Sequence, residues 1–311
     1  MDIVKVNNIT KRFNDKLALD NISFSVKEGE IFGLIGPNGA GKSTLISIIT
    51  NLTLPNSGNI QINGIDLSAD PMSAKSIIGL VPQELAIMET LTPFDNLEYF
   101  GAFYGLKGKL LQERINEALE VTGLAEVKKK KVKKLSGGMQ RRLNIGIALL
   151  NHPKILILDE PTVGVDPQSR NHIFNFIKDI SEKQKTTIIY TSHYMEEVEH
   201  LCSKIFIMDE GKEVAFGDNN YLKSIVSTST KLIMEIKNIN AQLIFDLKNT
   251  KGVISVLENT SVIALDVDKN FLLTDALSAV DKNNSKVVRI SYEEPSLEDV
   301  FLNLTGKNLR D

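Results

Sequence analysis

Two apolar runs near the N-terminus, Ile31-Phe32-Gly33-Leu34-Ile35 and Leu45-Ile46-Ser47-Ile48-Ile49, are separated by a stretch of mostly small residues. That pattern predicts a strand, a glycine-rich turn and a helix. A third run, Ile155-Leu156-Ile157-Leu158, shows no polar alternation, and so predicts a parallel strand buried on both faces. The β-branched residues 186–191 predict another strand. Between 91 and 104, Thr92 is placed to cap a helix and Pro93 opens it where a missing N–H does no harm. Apolar and aromatic residues crowd the turns that follow, which suits a small helical subdomain.

The pattern changes after Gly217. Residues 224–230, rich in serine and threonine, read as a linker. Beyond it the spacing predicts a strand over 231–237, a helix over 241–249, and strands over 254–258 and 262–267 with Asn259-Thr260 as the turn. A helix over 271–280 and a strand over 286–292 complete the order βαββαβ, which suggests a ferredoxin-like α+β module. The ending 294–306 reads as an acid-capped amphipathic helix with Leu297, Val300, Phe301 and Leu304 on one face. No cluster of titratable or metal-ligating residues occurs after 226, so a regulatory or interaction role fits this part better than a second active site. The division expected is 1–225 and 226–311.

At 311 residues the chain suits two domains. A net charge of −3 gives no global basic field, and composition therefore offers no argument for nucleic acid. The single cysteine, Cys202, excludes an internal disulfide and a cysteine-rich zinc site; it reads as a small semi-buried side chain in a reducing cytosol. The start Met1-Asp2-Ile3-Val4-Lys5 lacks signal-peptide architecture. No apolar stretch approaches the ~20 residues that cross a bilayer. Work at a membrane would then run through another chain.

Between the first two apolar runs lies Gly36-Pro37-Asn38-Gly39-Ala40-Gly41-Lys42-Ser43-Thr44, which fits G-x-x-x-x-G-K-[ST] in its required strand–turn–helix context. Small residues let successive N–H groups converge on a phosphate, and the following helix adds its positive end. Lys42 can reach the outer phosphates, and Ser43 can offer a hydroxyl to Mg²⁺. The buried run at 155–158 ends in Asp159-Glu160. Two acids there are costly unless they serve an ion or a reaction. Asp159 suits the metal, and Glu160 is placed to polarise a water. In Leu135-Ser136-Gly137-Gly138-Met139-Gln140, a serine and two glycines open a helix and form a second anion-binding nest, or merely a capped helix start.

Taken together these motifs resemble the ATP-binding cassette (ABC) ATPases over about the first 220 residues. Residues 36–44 look like Walker A, 155–159 with Glu160 like Walker B and its catalytic carboxylate, and 135–140 like the LSGGQ signature, with Met139 standing at its fifth place. Gln83 matches the Q-loop glutamine, Asp166 the D-loop aspartate, His193 the switch histidine, and Phe13 the aromatic that stacks on adenine. The resemblance implies an α/β P-loop fold of ABC type, a mixed sheet with a RecA-like core plus a helical subdomain. It also implies Mg²⁺-dependent ATP hydrolysis by a head-to-tail dimer, of two copies or with a related cassette. There Walker A faces the partner's Ser136, Gly137 and Gly138. The tail resembles the daunorubicin-exporter branch, which partners ABC-2-type permeases on the cytoplasmic face of the membrane. A rival within the same family is a soluble ATPase acting on nucleic acid or ribosomes. The lysine run 128–134 reads as a solvated loop, with lipid headgroups as the alternative ligand.

Overall fold

Strand β1 (Asp2–Phe13) pairs antiparallel with β2 (Lys16–Lys27), setting Val4 opposite Val26 and Val6 opposite Phe24, so that their apolar faces coincide. The computed structural model describes residues 1–226, 230–293 and 295–306. Strand β3 (Ile31–Ile35) runs through the glycine turn into α1 (Lys42–Ile49). Strands β4 (Ser57–Ile62) and β5 (Ile65–Asp66) complete an antiparallel sheet of order β2-β1-β4-β5. Next come α2 (Pro71–Ser76), capped by Asp70, and β6 (Ile78–Val81). Three helices follow: α3 (Pro93–Phe103), α4 (Gly108–Val121) and α5 (Gly137–Leu149). The alternation then resumes with β7 (Ile155–Asp159), α6 (Pro167–Gln184), β8 (Thr187–Ser192), α7 (Met195–Leu201), β9 (Lys204–Asp209) and β10 (Lys212–Gly217).

The second sheet has the order β10-β9-β3-β8-β7-β6, parallel throughout except for β10 at its edge. Helix α1 contributes Leu45, Ile46, Ile48 and Ile49 to a core shared with Val4 and Ile9 of the first sheet and Phe32, Leu34, Ile157 and Phe206 of the second. At about 1.5–3 kcal/mol for each fully buried large apolar side chain, this shared core fixes the end of the glycine turn. A separate core joins α3, α4 and α5 through Leu97, Ile115, Leu119, Leu143 and Ile147. The cap at Thr92 is a full capping box with Asp95. In the lysine run, Val132 is buried and its N–H donates to Leu91 O at 2.9 Å, while most of the lysines stay exposed.

The described residues divide into two compact units, Met1–Asn219 and 220–306. Helix α8 (Asn219–Val226) overturns part of the expected linker. No proline or glycine interrupts Tyr221-Leu222-Lys223-Ser224-Ile225-Val226, and Leu222 is fully buried, so Ser224 is helical; residues 227–229 lie outside the described residues.

In the second unit β11 (Thr230–Lys237), α9 (Ala241–Lys248), β12 (Val253–Asn259), β13 (Val262–Val267), α10 (Leu273–Lys282) and β14 (Lys286–Glu293) follow the order read from the pattern. Their sheet has the order β12-β13-β11-β14 with every pairing antiparallel. Leu232, Met234, Ile263 and Leu265 pack with Leu243, Leu247 and Val280 of the helices. Helix α11 (Leu297–Thr305) starts at a capping box of Ser296 and Asp299. Leu297, Val300 and Phe301 are buried, but Leu304 is 40 % exposed, so the apolar face is a turn shorter than its spacing suggests. Glu294 lies outside the described residues.

Candidate functional site

Adjacent parallel strands β3, β8, β7 and β6 deliver their chemistry to one edge of the sheet. At or just beyond their C-terminal ends lie, in that order, residues 36–44, His193, Asp159 with Glu160, and Gln83. Ligands of parallel α/β sheets bind at this edge.

The glycine turn is shaped by sterics. Gly41, at φ 109°, precedes α1 in the left-handed region, and a Cβ there would lie 2.8 Å from Ala18 O. A Cβ on Gly36 would lie 2.2 Å from Met208 O, which pins the turn against β9. The Lys42 side chain is only 5 % exposed; its ammonium donates to Gly36 O at 2.7 Å and Pro37 O at 3.2 Å, and faces Glu160 Oε1 at 3.3 Å. Burial pulls the lysine pKa down, while the charges of Glu160 and Asp159 oppose that.

Glu160 sits at φ 46°, a left-handed conformation that costs a non-glycine residue about 1–3 kcal/mol. The turn is held by its N–H, which donates to Thr191 Oγ1 at 2.9 Å. The Glu160 carboxylate meets three other residues expected at the site: Lys42, Gln83 Nε2 at 3.2 Å, and His193 Nδ1 at 3.3 Å. The last is a charge-distance contact without hydrogen-bond geometry. Asp159 accepts from Thr191 Oγ1 at 2.7 Å.

A cleft of about 620 Å³ opens here, lined by Phe13, Asn38, Gly39, Gly41, Lys42, Ser43, Thr44, Gln83 and Glu160, with Asp209 and Glu210 among the remaining wall residues. Its volume is that of a small-molecule site. Phe13 is half exposed. Gly36, Pro37 and Ala40 form the turn without lining the cleft. The hard oxygens of Ser43, Gln83 and Asp159 fit a small divalent cation such as Mg²⁺. Ser136, Gly137, Gly138 and Asp166 lie outside the cleft. Ser136 caps α5 through Met139 N–H at 3.3 Å, and Asp166 caps α6 through Ser169 N–H at 2.9 Å. The bonds from Ser169 hold the Asp166 carboxyl below its usual range. The two helix starts abut, since a Cβ on Gly138 would lie 2.4 Å from Ser169 Oγ.

Two residues escape a motif reading. Thr191 could have been suspected from its place in Thr191-Ser192-His193. Arg141, buried in α5, donates to Pro82 O at 3.0 Å and Gln83 O at 2.7 Å. With Gln140, Arg142 and Asn144 in the same helix, nothing in the pattern singles Arg141 out.

A phosphate-binding turn, a buried acid pair and a polarising set on one sheet edge define a P-loop nucleoside triphosphatase. Residues 19–163 match the ABC transporter family. The chain is 42 % identical over 312 residues to a linearmycin resistance ATP-binding protein of Bacillus subtilis, covering 99 % of this chain and 100 % of the relative. It is 32 % identical to a daunorubicin resistance ATP-binding protein of Streptomyces coeruleorubidus, covering 99 % and 97 %. A solved ATP-binding cassette, a dimer in a post-hydrolysis state with ADP and phosphate, superposes with a TM-score of 0.62 at 28 % identity, covering 69 % of this chain and 98 % of that one. The chain belongs to the ABC transporter family of ATP-binding proteins and is an ATPase. The rival reading, action on nucleic acid or ribosomes, gains no support from these relatives.

Proposed function

We propose that this chain powers export through a separate ABC-2-type permease, as a dimeric ATPase bound peripherally at the inner face of the cell membrane. The resistance proteins it resembles over nearly their whole length support export. No helix among the described residues is long and apolar enough to cross a membrane, and the proposal places the translocation path in the permease. The cargo is not encoded in the ATPase cleft.

The observation that carries the catalytic reading is the convergence of Lys42, Gln83 and His193 on the strained Glu160. In our assignment Phe13 stacks on adenine, and the amides of residues 36–44 with Lys42 cradle the phosphates. Glu160 orients and polarises the attacking water, and His193 contacts the γ-phosphate. Ser43, Gln83 and Asp159 would hold Mg²⁺, which when bound would neutralise part of the phosphate charge. Ser136 and Asp166, which cap the starts of α5 and α6 away from the cleft, serve with Gly137 and Gly138 the cleft of the partner copy. That arrangement supports a head-to-tail dimer, of two copies or with a related cassette.

We assign residues 226–311 a regulatory or interaction role. In the second unit's own numbering the strand order is 4-1-3-2, all antiparallel, with two helices packed on the sheet, which supports a ferredoxin-like module.

The test is capture of the Glu160→Gln protein from its own cells in mild detergent with ATP. Co-purification of a polytopic membrane protein is expected. Recovery of ribosomes or nucleic acid in its place would sink the export reading.

A further inference from the structure

Directly behind the reacting edge lies a buried acid that no phosphate motif uses. Glu197 on α7 is 3 % exposed, and its Oε2 accepts three hydroxyl hydrogens: from Thr162 at 2.8 Å, Tyr190 at 2.8 Å and Ser192 at 3.0 Å. Its other oxygen, Oε1, lies 3.3 Å from Arg170 Nε on α6. That contact pairs charges without hydrogen-bond alignment. A carboxylate so deeply buried is tolerated because three hydroxyl donors and an arginine charge compensate its lost hydration. Burial and the charge of Glu197 push the Tyr190 phenol well above its usual range, which keeps it a donor.

The groups facing Glu197 come from three pieces of the site. Thr162 follows Glu160 by two residues, and Tyr190 and Ser192 end the strand that delivers His193. Arg170 lies in the first turn of α6, where its N–H donates to Asp166 O at 2.9 Å. Ser192 Oγ also accepts the Tyr194 N–H at 2.9 Å. The Tyr194 ring lies 4.0 Å from the His193 ring and 5.5 Å from the Arg170 guanidinium carbon. The histidine is thereby bracketed, through Ser192 on one side and Tyr194 on the other, by groups that answer to one carboxylate.

We propose that Glu197 is a positioning residue for hydrolysis: its buried carboxylate ties the segment after Glu160, the segment carrying His193 and the helix headed by Asp166 into one unit. None of these contacts reaches residues 36–44 or Phe13. Nucleotide binding is therefore independent of the knot, while the alignment of His193 with Glu160 depends on it. The proposal rests on the roles assigned above to those two residues.

The test uses the full chain. Glu197→Gln preserves size and one acceptor oxygen but removes the charge opposite Arg170. The expected result is nucleotide affinity and KM close to wild type with kcat lowered about 10- to 100-fold, as small misplacements of reacting groups produce. In a His193→Ala background the same substitution should lose most of its effect, because the two residues then act on one step. Should Glu197→Gln fail to fold, Thr162→Val and Ser192→Ala each remove a single donor, and the same split between kcat and KM is expected. An unchanged kcat in a folded variant overturns the proposal, as do parallel losses of kcat, nucleotide affinity and melting temperature, or full additivity with His193→Ala. Glu160→Gln run alongside separates the two failures. If it turns over normally, the catalytic reading falls; if it is dead while Glu197→Gln is fully active, only the positioning role falls.

Discussion

Thr191 donates its hydroxyl hydrogen to Asp159 at 2.7 Å. The same oxygen accepts the Glu160 N–H at 2.9 Å, so one side chain on β8 aims both acids of β7. Thr191→Val preserves the shape and leaves both groups unpaired in a buried place, at about 1–3 kcal/mol for each. A melt should show a loss of about 2–4 °C for every kcal/mol, and phosphate release should slow. Thr191→Ser, which restores the hydroxyl, should recover both. Full activity in a folded valine variant would remove Thr191 from this role.

Glu160→Gln should abolish steady-state hydrolysis, a loss of about 10²- to 10⁴-fold if the carboxylate is the general base. Nucleotide binding should persist, because the glycine turn and Phe13 are untouched. Titration with a fluorescent ATP analogue alongside phosphate release checks both halves. Wild-type turnover would take the base role from Glu160.

A chain ending at Val226 should fold cooperatively and still bind ATP, since the cores around α1 and around α3 to α5 are built entirely from earlier residues. A calorimetric melt with and without Mg-ATP would register a ligand-dependent rise. A truncated protein that aggregates, or shows no rise, would mean that the second unit is needed for the first to hold together.

Cys202, expected to be semi-buried, is 7 % exposed, and burial raises its thiol pKa. At any pH the native thiolate fraction is then below that of a free cysteine. Labelling of native protein by a thiol reagent at pH 8 should lag that of denatured protein by more than about tenfold. Equal rates would show that α7 opens readily.

The turn at 36–44 and the acids 159 and 160 were legible because their chemistry is local: consecutive residues make the nest and the strand end. Gln83, Asp166 and His193 became legible only through registration with a family pattern, for a lone glutamine or histidine carries no local signal. Thr191 and Arg141 were missed because their roles come from sheet order, which sets β8 beside β7 and α5 behind β6. The second unit's alternation was strong enough to give its element order, with ends shifted by one or two residues. The linker failed for a physical reason. Serines read as loop formers when no partner is known, but Ser224 can bond back to Tyr221 O at 2.6 Å within a helical turn whose Leu222 is buried.

The hold of Arg141 on the carbonyls of Pro82 and Gln83 has a thermodynamic corollary. Helix α5 and the loop that carries Gln83 to Glu160 share a guanidinium, so a shift in one is felt by the other. By linkage, any partner that moves α5 and tightens nucleotide binding by some factor must itself be held more tightly, by that same factor, once nucleotide is bound.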